Sequence, residues 1–235
     1  MRTSALLDLP GAAWHRLWRI GLRLRYRLLQ RHRHERLVLE HAAGIPIVVL
    51  PGVLNPKLFW TGELLAQVFQ TAPPLPGASV LDMGTGSGIG AVAAARLGAR
   101  VVAVDISASA VRCARINALL NDVDARIDVR HGDLFAPVAG ERFDVVLFNP
   151  PYHPGEPRDE MESAFRAADV PVRFARALPA HLAEPDGHAL VLLSSLGDAA
   201  AFLDAFHAAG LIVESVAEQR HPGELLTVHR VRRPW

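Results

Sequence analysis

The stretch Val80-Leu-Asp-Met-Gly-Thr-Gly-Ser-Gly-Ile-Gly90 decides the fold. Its apolar start reads as a buried strand, its glycines as a sharp turn, and the apolar run that follows as the start of a helix. Glycines let the main chain reverse direction and let a ligand approach the backbone without Cβ interference. Downstream, strands and helices alternate. The pattern predicts strand Val80 to Met83, helix Gly88 to Leu97, strand Arg100 to Asp105, helix Ser107 to Leu120 and strands Arg126 to Arg130 and Phe143 to Phe148. It continues with helix Met161 to Leu182, strand His188 to Leu193, helix Asp198 to Ala209 and two last strands near Leu211 to Val216 and Leu225 to Val231. Such alternation predicts an α/β fold with a doubly wound, mostly parallel seven-stranded sheet covered on both faces. The last two strands, joined through His221-Pro-Gly223, are expected to be antiparallel neighbours.

Upstream of this core, the run Thr71-Ala-Pro-Pro-Leu-Pro-Gly77 is a proline-rich linker. It predicts a division into a lead-in over residues 1–70, a linker over 71–77 and a core over 78–235. Within the lead-in, Leu37 to Glu40 and Ile45 to Leu50 read as a hairpin, and Gly62 to Gln70 as a short helix. From Asp8 to about His34 the apolar residues Trp14, Leu17, Leu24 and Leu28 recur at helical spacing, with arginines on another face. Met1 to His41 holds nine arginines against Asp8, Glu35 and Glu40. This face suits RNA phosphates, an acidic protein surface or anionic lipid, and equally a solvated surface.

Composition narrows the classes further. Half of the 235 residues are hydrophobic, which supplies a large core and argues against global disorder. The single cysteine, Cys113, cannot form an internal disulfide and reads as a buried inert thiol. No run of apolar residues is long enough to span a bilayer, and the first 25 residues lack the apolar core of a secretory signal, so a cytoplasmic protein is expected. The histidines, including His32 and His34, show no zinc spacing, and no metal is expected.

Three acidic residues fall at successive strand ends. Asp82 precedes the glycine turn, where a carboxylate would oppose a pyrophosphate but attract an ammonium group. Asp105 ends the second strand, where an acidic side chain can take two ribose hydroxyls. After the third strand, His131-Gly-Asp133-Leu134-Phe135 offers an acceptor for an exocyclic amine and apolar walls for a flat base. Ile106 is a further candidate wall. A ligand with ammonium, ribose and adenine but no phosphate fits all three positions, and S-adenosylmethionine is such a ligand. Gly84, Gly86 and Gly88 would then line its approach. Gly86-Ser-Gly-Ile-Gly-Ala91 also fits a loose dinucleotide-binding turn, so an NAD-dependent oxidoreductase stands as a rival.

The apolar strand Phe143 to Phe148 ends in Asn149-Pro150-Pro151-Tyr152. Two prolines fix the backbone at the strand's carboxyl end, leaving an amide side chain and rigid carbonyls beside an aromatic ring. With Asp-Met-Gly-Thr-Gly-Ser-Gly, Asp105 and Gly-Asp133-Leu in this order, the chain resembles the class I S-adenosylmethionine-dependent methyltransferases. Asn-Pro-Pro-Tyr makes it similar to the amino-methyltransferases, and among these to the HemK/PrmC-type glutamine-N5 enzymes. The resemblance covers roughly Asn55 to Leu193. It implies a methyl transfer to a planar amide or amino nitrogen, most directly a protein glutamine side chain. It also implies Asn149 and Pro150 as acceptors for the substrate N–H groups, and Pro151 and Tyr152 as substrate contacts. Thr61, ahead of Leu64-Leu65, is implied as a cofactor contact. The segment Lys57-Leu-Phe-Trp60 departs from the acidic residues usual there. An RNA or DNA amino-methyltransferase, a small-molecule N-methyltransferase and a non-catalytic cofactor-binding scaffold remain alternatives.

Overall fold

The computed structural model describes residues 36–150 and 169–234. The helix expected from Asp8 to His34 and the residues Pro151 and Tyr152 lie outside them.

Val38–Ala42 (β1) and Ile45–Val49 (β2) form an antiparallel hairpin. Its two-residue turn, Ala43-Gly44, has positive φ at both positions, 51° and 73°, the backbone twist that suits tight hairpins. Two helices follow, Pro56–Phe59 (α1) and Thr61–Thr71 (α2). The core then runs Ser79–Met83 (β3), Ile89–Arg96 (α3), Arg100–Asp105 (β4), Ala108–Leu120 (α4), Ile127–His131 (β5) and Val145–Phe148 (β6). It ends with Val170–His181 (α5), His188–Ser194 (β7), Ala199–Ala208 (α6), Ile212–His221 (β8) and Glu224–Arg232 (β9).

Across the seven-stranded sheet the order is β5-β4-β3-β6-β7-β9-β8. The first five strands in that order are parallel, and β9 runs antiparallel to both β7 and β8. The expected α/β class, doubly wound sheet and antiparallel final pair are all present. β8 is longer than expected because a bulge between Ser215 and Ala217 lets pairing resume and run on to His221. Its continuation, Ala217-Glu-Gln-Arg-His221, is polar and lacks the apolar alternation that marks a strand in sequence. As the edge strand it is mostly exposed and carries charge, which protects an open ladder from pairing with other chains.

Side chains alternate between the two faces of the sheet. Val80, Val101, Val145 and Leu192 join α2, α3, α4 and the hairpin in one buried cluster. Leu81, Met83, Val146 and Phe148 join Phe174 and Leu178 of α5 and Phe202 and Phe206 of α6 in the other. Residues on both sides of the proline-rich segment 71–77 thus share a single hydrophobic cluster, through Leu65 and Phe69 before it and Val92 after it.

One side chain ties the hairpin to the core. Asn117 on α4 is fully buried. Its Oδ1 accepts from the Val48 N–H at 2.7 Å, and its Nδ2 donates to the Val48 carbonyl at 2.6 Å. The same Nδ2 donates to the Ser87 carbonyl in the glycine turn at 2.8 Å. The amide therefore meets the outer backbone edge of β2 as a neighbouring strand would. Asn117→Ala should lower unfolding free energy by about 2–4 kcal/mol, because it leaves buried backbone groups without partners. Urea denaturation of the two chains measures this, and a change under 1 kcal/mol would refute the clasp.

Candidate active site

The chain reverses its direction of build-up between β3 and β6, and in open α/β sheets the crevice beyond the carboxyl ends at such a point is where ligands bind. The glycine turn after β3 and Asn149 after β6 both stand there.

Asp82, near the end of β3, is 5 % exposed. Its Oδ2 accepts from the Thr85 hydroxyl at 2.6 Å and from the Ala91 N–H in the first turn of α3 at 2.9 Å. Burial pushes its pKa from 3.8 up to about 6 against the pull of these two bonds, and the Asp105 charge adds to the rise. Gly90 makes room for this carboxylate, since a Cβ there would sit 2.7 Å from Asp82 Oδ1.

Asp105, the last residue of β4, bridges two elements. Oδ2 accepts from the Gly86 N–H at 2.8 Å, and Oδ1 accepts from the Ser107 N–H at 2.9 Å, just ahead of α4. Burial raises its pKa too, opposed by these two bonds and by His131. Gly84 and Gly86 take φ of 63° and 56°, which a side chain resists. A Cβ on either would meet nothing closer than 3.8 Å, so the space over the turn is open. Gly88 differs: a Cβ there would lie 2.9 Å from Ala114 Cα, so its absence lets α3 approach α4. Next to the turn, Ile106 is 54 % exposed, an apolar side chain at a strand tip with a free face. Its carbonyl accepts from His131 Nε2 at 2.8 Å.

Asp133 and Leu134 follow β5. Leu134 holds a left-handed φ of 45°. The Asp133 carboxylate forms an ion pair with Arg173 of α5, which also reaches Asp169 at 3.2 Å. The expected adenine acceptor therefore already shares a guanidinium 40 positions away that no local pattern announces.

Asn149 directly follows β6. Its Nδ2 donates to Thr61 Oγ1 at 3.1 Å, and its Oδ1 is buried and, among the described residues, has no hydrogen-bond partner. Pro150 is buried beside it. Pro151 and Tyr152 lie outside the described residues. The fold thus brings together Asp82, Asp105 and the glycine turn as one bonded unit, and Thr61 with Asn149 as a second. Asp133 stands apart with Arg173. Thr85 and Gly90, which shape the Asp82 site, were legible only as parts of the glycine run.

Asp82 and Asp105 face each other electrostatically from neighbouring strands, and among the described residues neither forms a salt bridge. The buried Asp82 carboxylate favours an ammonium group and opposes a pyrophosphate, and the part-buried Asp105 suits hydroxyl donors. The donor set fits S-adenosylmethionine and disfavours a dinucleotide.

Comparison with known proteins agrees. Residues 45–178 match the model of the methyltransferase small domain. The chain is 32% identical over 194 residues to a protein of Methanocaldococcus jannaschii to which protein N5-glutamine methyltransferase activity is assigned, covering 77% of this chain and 96% of that one. It is 33% identical over 224 residues to a release factor glutamine methyltransferase of Xylella fastidiosa, covering 83% of this chain and 79% of that one. Among solved structures, a ribosomal protein L11 methylase of Lactobacillus delbrueckii superposes with a TM-score of 0.57 at 26% identity, over 77% of this chain and 82% of that one. The chain belongs to the methyltransferase small domain family and is an S-adenosylmethionine-dependent methyltransferase.

Proposed function

We propose that this enzyme methylates the side-chain amide nitrogen of a glutamine in a protein substrate. The observation that carries the reading is the buried, unpartnered Oδ1 of Asn149 at the tip of β6. A buried acceptor without a donor is costly, and a substrate N–H would satisfy it. The assigned activities of the relatives point to the same acceptor.

S-adenosylmethionine supplies an electrophilic methyl carbon on a sulfonium sulfur. The chain's own task is the acceptor nitrogen, a poor nucleophile because its lone pair is delocalised into the amide carbonyl. Asn149 Oδ1 and the Pro150 carbonyl would hold its two N–H groups out of the amide plane, localising the lone pair for attack. Tyr152 is the proposed wall for the flat amide. Positioning supplies most of the acceleration, with no covalent enzyme intermediate. Asp82 is the proposed partner of the cofactor's ammonium group, Asp105 of its ribose and Ile106 and Leu134 of its base, with Asp133 as the acceptor for the exocyclic amine.

Asn149→Ala should lower kcat by roughly 100- to 1000-fold while leaving S-adenosylmethionine affinity near normal. Retained turnover would remove Asn149 from the chemistry. Tritiated methyl should enter the protein fraction of a substrate mixture, with the added mass on glutamine; incorporation into RNA instead would overturn the acceptor.

The raised pKa of Asp82 gives a second test. The folded chain holds this proton more tightly than the unfolded chain, so the stability contributed by the neutral carboxyl is complete below 3.8 and lost as pH rises through about 6. Asp82→Asn, which does not ionise, should therefore gain on the parent chain by on the order of 3 kcal/mol between pH 3.5 and pH 7 without cofactor. Denaturation at a series of pH values reads this, and parallel curves would contradict it. Calorimetry should show S-adenosylmethionine affinity falling below about pH 6, where Asp82 is protonated.

A further inference from the structure

We infer that Thr61 is a positioning residue for methyl transfer, holding the Asn149 amide so that its oxygen faces the acceptor space. The inference rests on the reading of Asn149 given above, and it assigns Thr61 a role other than contact with the cofactor.

The geometry is specific. Thr61 is 5 % exposed, at the first position of α2. Its Oγ1 takes the Asn149 Nδ2–H at 3.1 Å across 88 positions of sequence. Among the described residues this is the one hydrogen bond to the Asn149 side chain, and Oδ1, at the other end of the amide, is left buried and bare. An amide is a donor at one end and an acceptor at the other. In the orientation observed, with the donor end at Thr61, the acceptor end is the one left for the substrate. Rotated by 180° about its last bond, the same side chain would present an NH2 group to the substrate N–H, donor against donor.

Thr61 is itself held from both sides. Trp60, immediately before it, adopts a left-handed φ of 57° at the start of α2. The Trp60 carbonyl accepts from the Leu64 N–H at 2.9 Å. The Trp60 ring stacks on His221 at the end of β8, with centroids 4.3 Å apart and planes at 7°. On the inner side, a Cβ on Gly62 would lie 3.2 Å from Pro56 Cβ and 3.4 Å from Ile89 Cγ2, so the first turn of α2 is seated closely on α1 and α3. A hydroxyl so placed can fix a partner side chain at little entropic cost.

The test replaces the hydroxyl and keeps the shape. Thr61→Val should lower kcat roughly 10- to 100-fold, the range for losing one hydrogen bond to a group that acts in the transition state. S-adenosylmethionine Kd by calorimetry should stay within about twofold. Thr61→Ser should recover most of the rate. In the Asn149→Ala background, Thr61→Val should have no further effect on kcat, because its action passes through that amide. A purely structural role would instead add its loss in both backgrounds. If the Val variant is poorly folded by thermal melt, the Ser and Ala variants carry the comparison, and equal rates for those two would overturn the proposal. A loss that follows a weakened Kd would overturn it in favour of cofactor contact. Full activity of Thr61→Val with an inactive Asn149→Ala chain would sink this inference alone, whereas an active Asn149→Ala chain would sink the reading beneath it.

Discussion

The constraint on which the site depends is the burial of Asp82 with no cation beside it among the described residues. A carboxylate at the end of a central strand loses most of its hydration, and the fold answers with two donors on one oxygen, from Thr85 and Ala91. Those bonds do not cancel the desolvation, so the proton is held up to about pH 6. Much around this group follows from it. Gly90 must lack a side chain, α3 must start with an N–H aimed at the carboxylate, and Asp105 nearby must be steadied by the Gly86 and Ser107 amides. An acid placed as Asp82 is favours a cationic group over a pyrophosphate, which separates the methyltransferase reading from the dinucleotide reading.

The opposite half of the crevice is governed by hydrogen-bond polarity rather than net charge. At the tip of β6 an amide is tethered through nitrogen and bare at oxygen, a polarity that suits a substrate bringing N–H groups. The two halves meet where β3 and β6 lie side by side, so the strand pairing itself sets the separation between the glycine turn and the Asn149 amide.

The sequence was most informative where a structural pattern is written into contiguous residues. The glycine run, Asp105 at its strand end and the residues after β6 are local patterns, and their periodicity and turn chemistry survive without any knowledge of tertiary contacts. The parts that could not be read depend on long-range partners. Thr61 meets Asn149 across 88 residues, Asn117 meets Val48 across 69, and Asp133 meets Arg173 across 40. Nothing in the spacing of those residues betrays the meeting. Gly88 shows the reverse limit: the motif suggested a place beside the cofactor, whereas the structure gives it a left-handed φ of 84° and a close contact of α3 with α4. The extent of β8 escaped because a bulge and a polar continuation hide an edge strand from any rule of alternation.

The Asn117 clasp has a consequence beyond holding the hairpin. Its side chain grips both the hairpin backbone and the carbonyl of Ser87, so the glycine turn, the proposed seat of the cofactor, is held by the hairpin. A loop already frozen in its receptive shape has little disorder left to surrender when the ligand arrives. The hairpin, which looks like an appendage, is in this sense part of the mould of the proposed cofactor pocket.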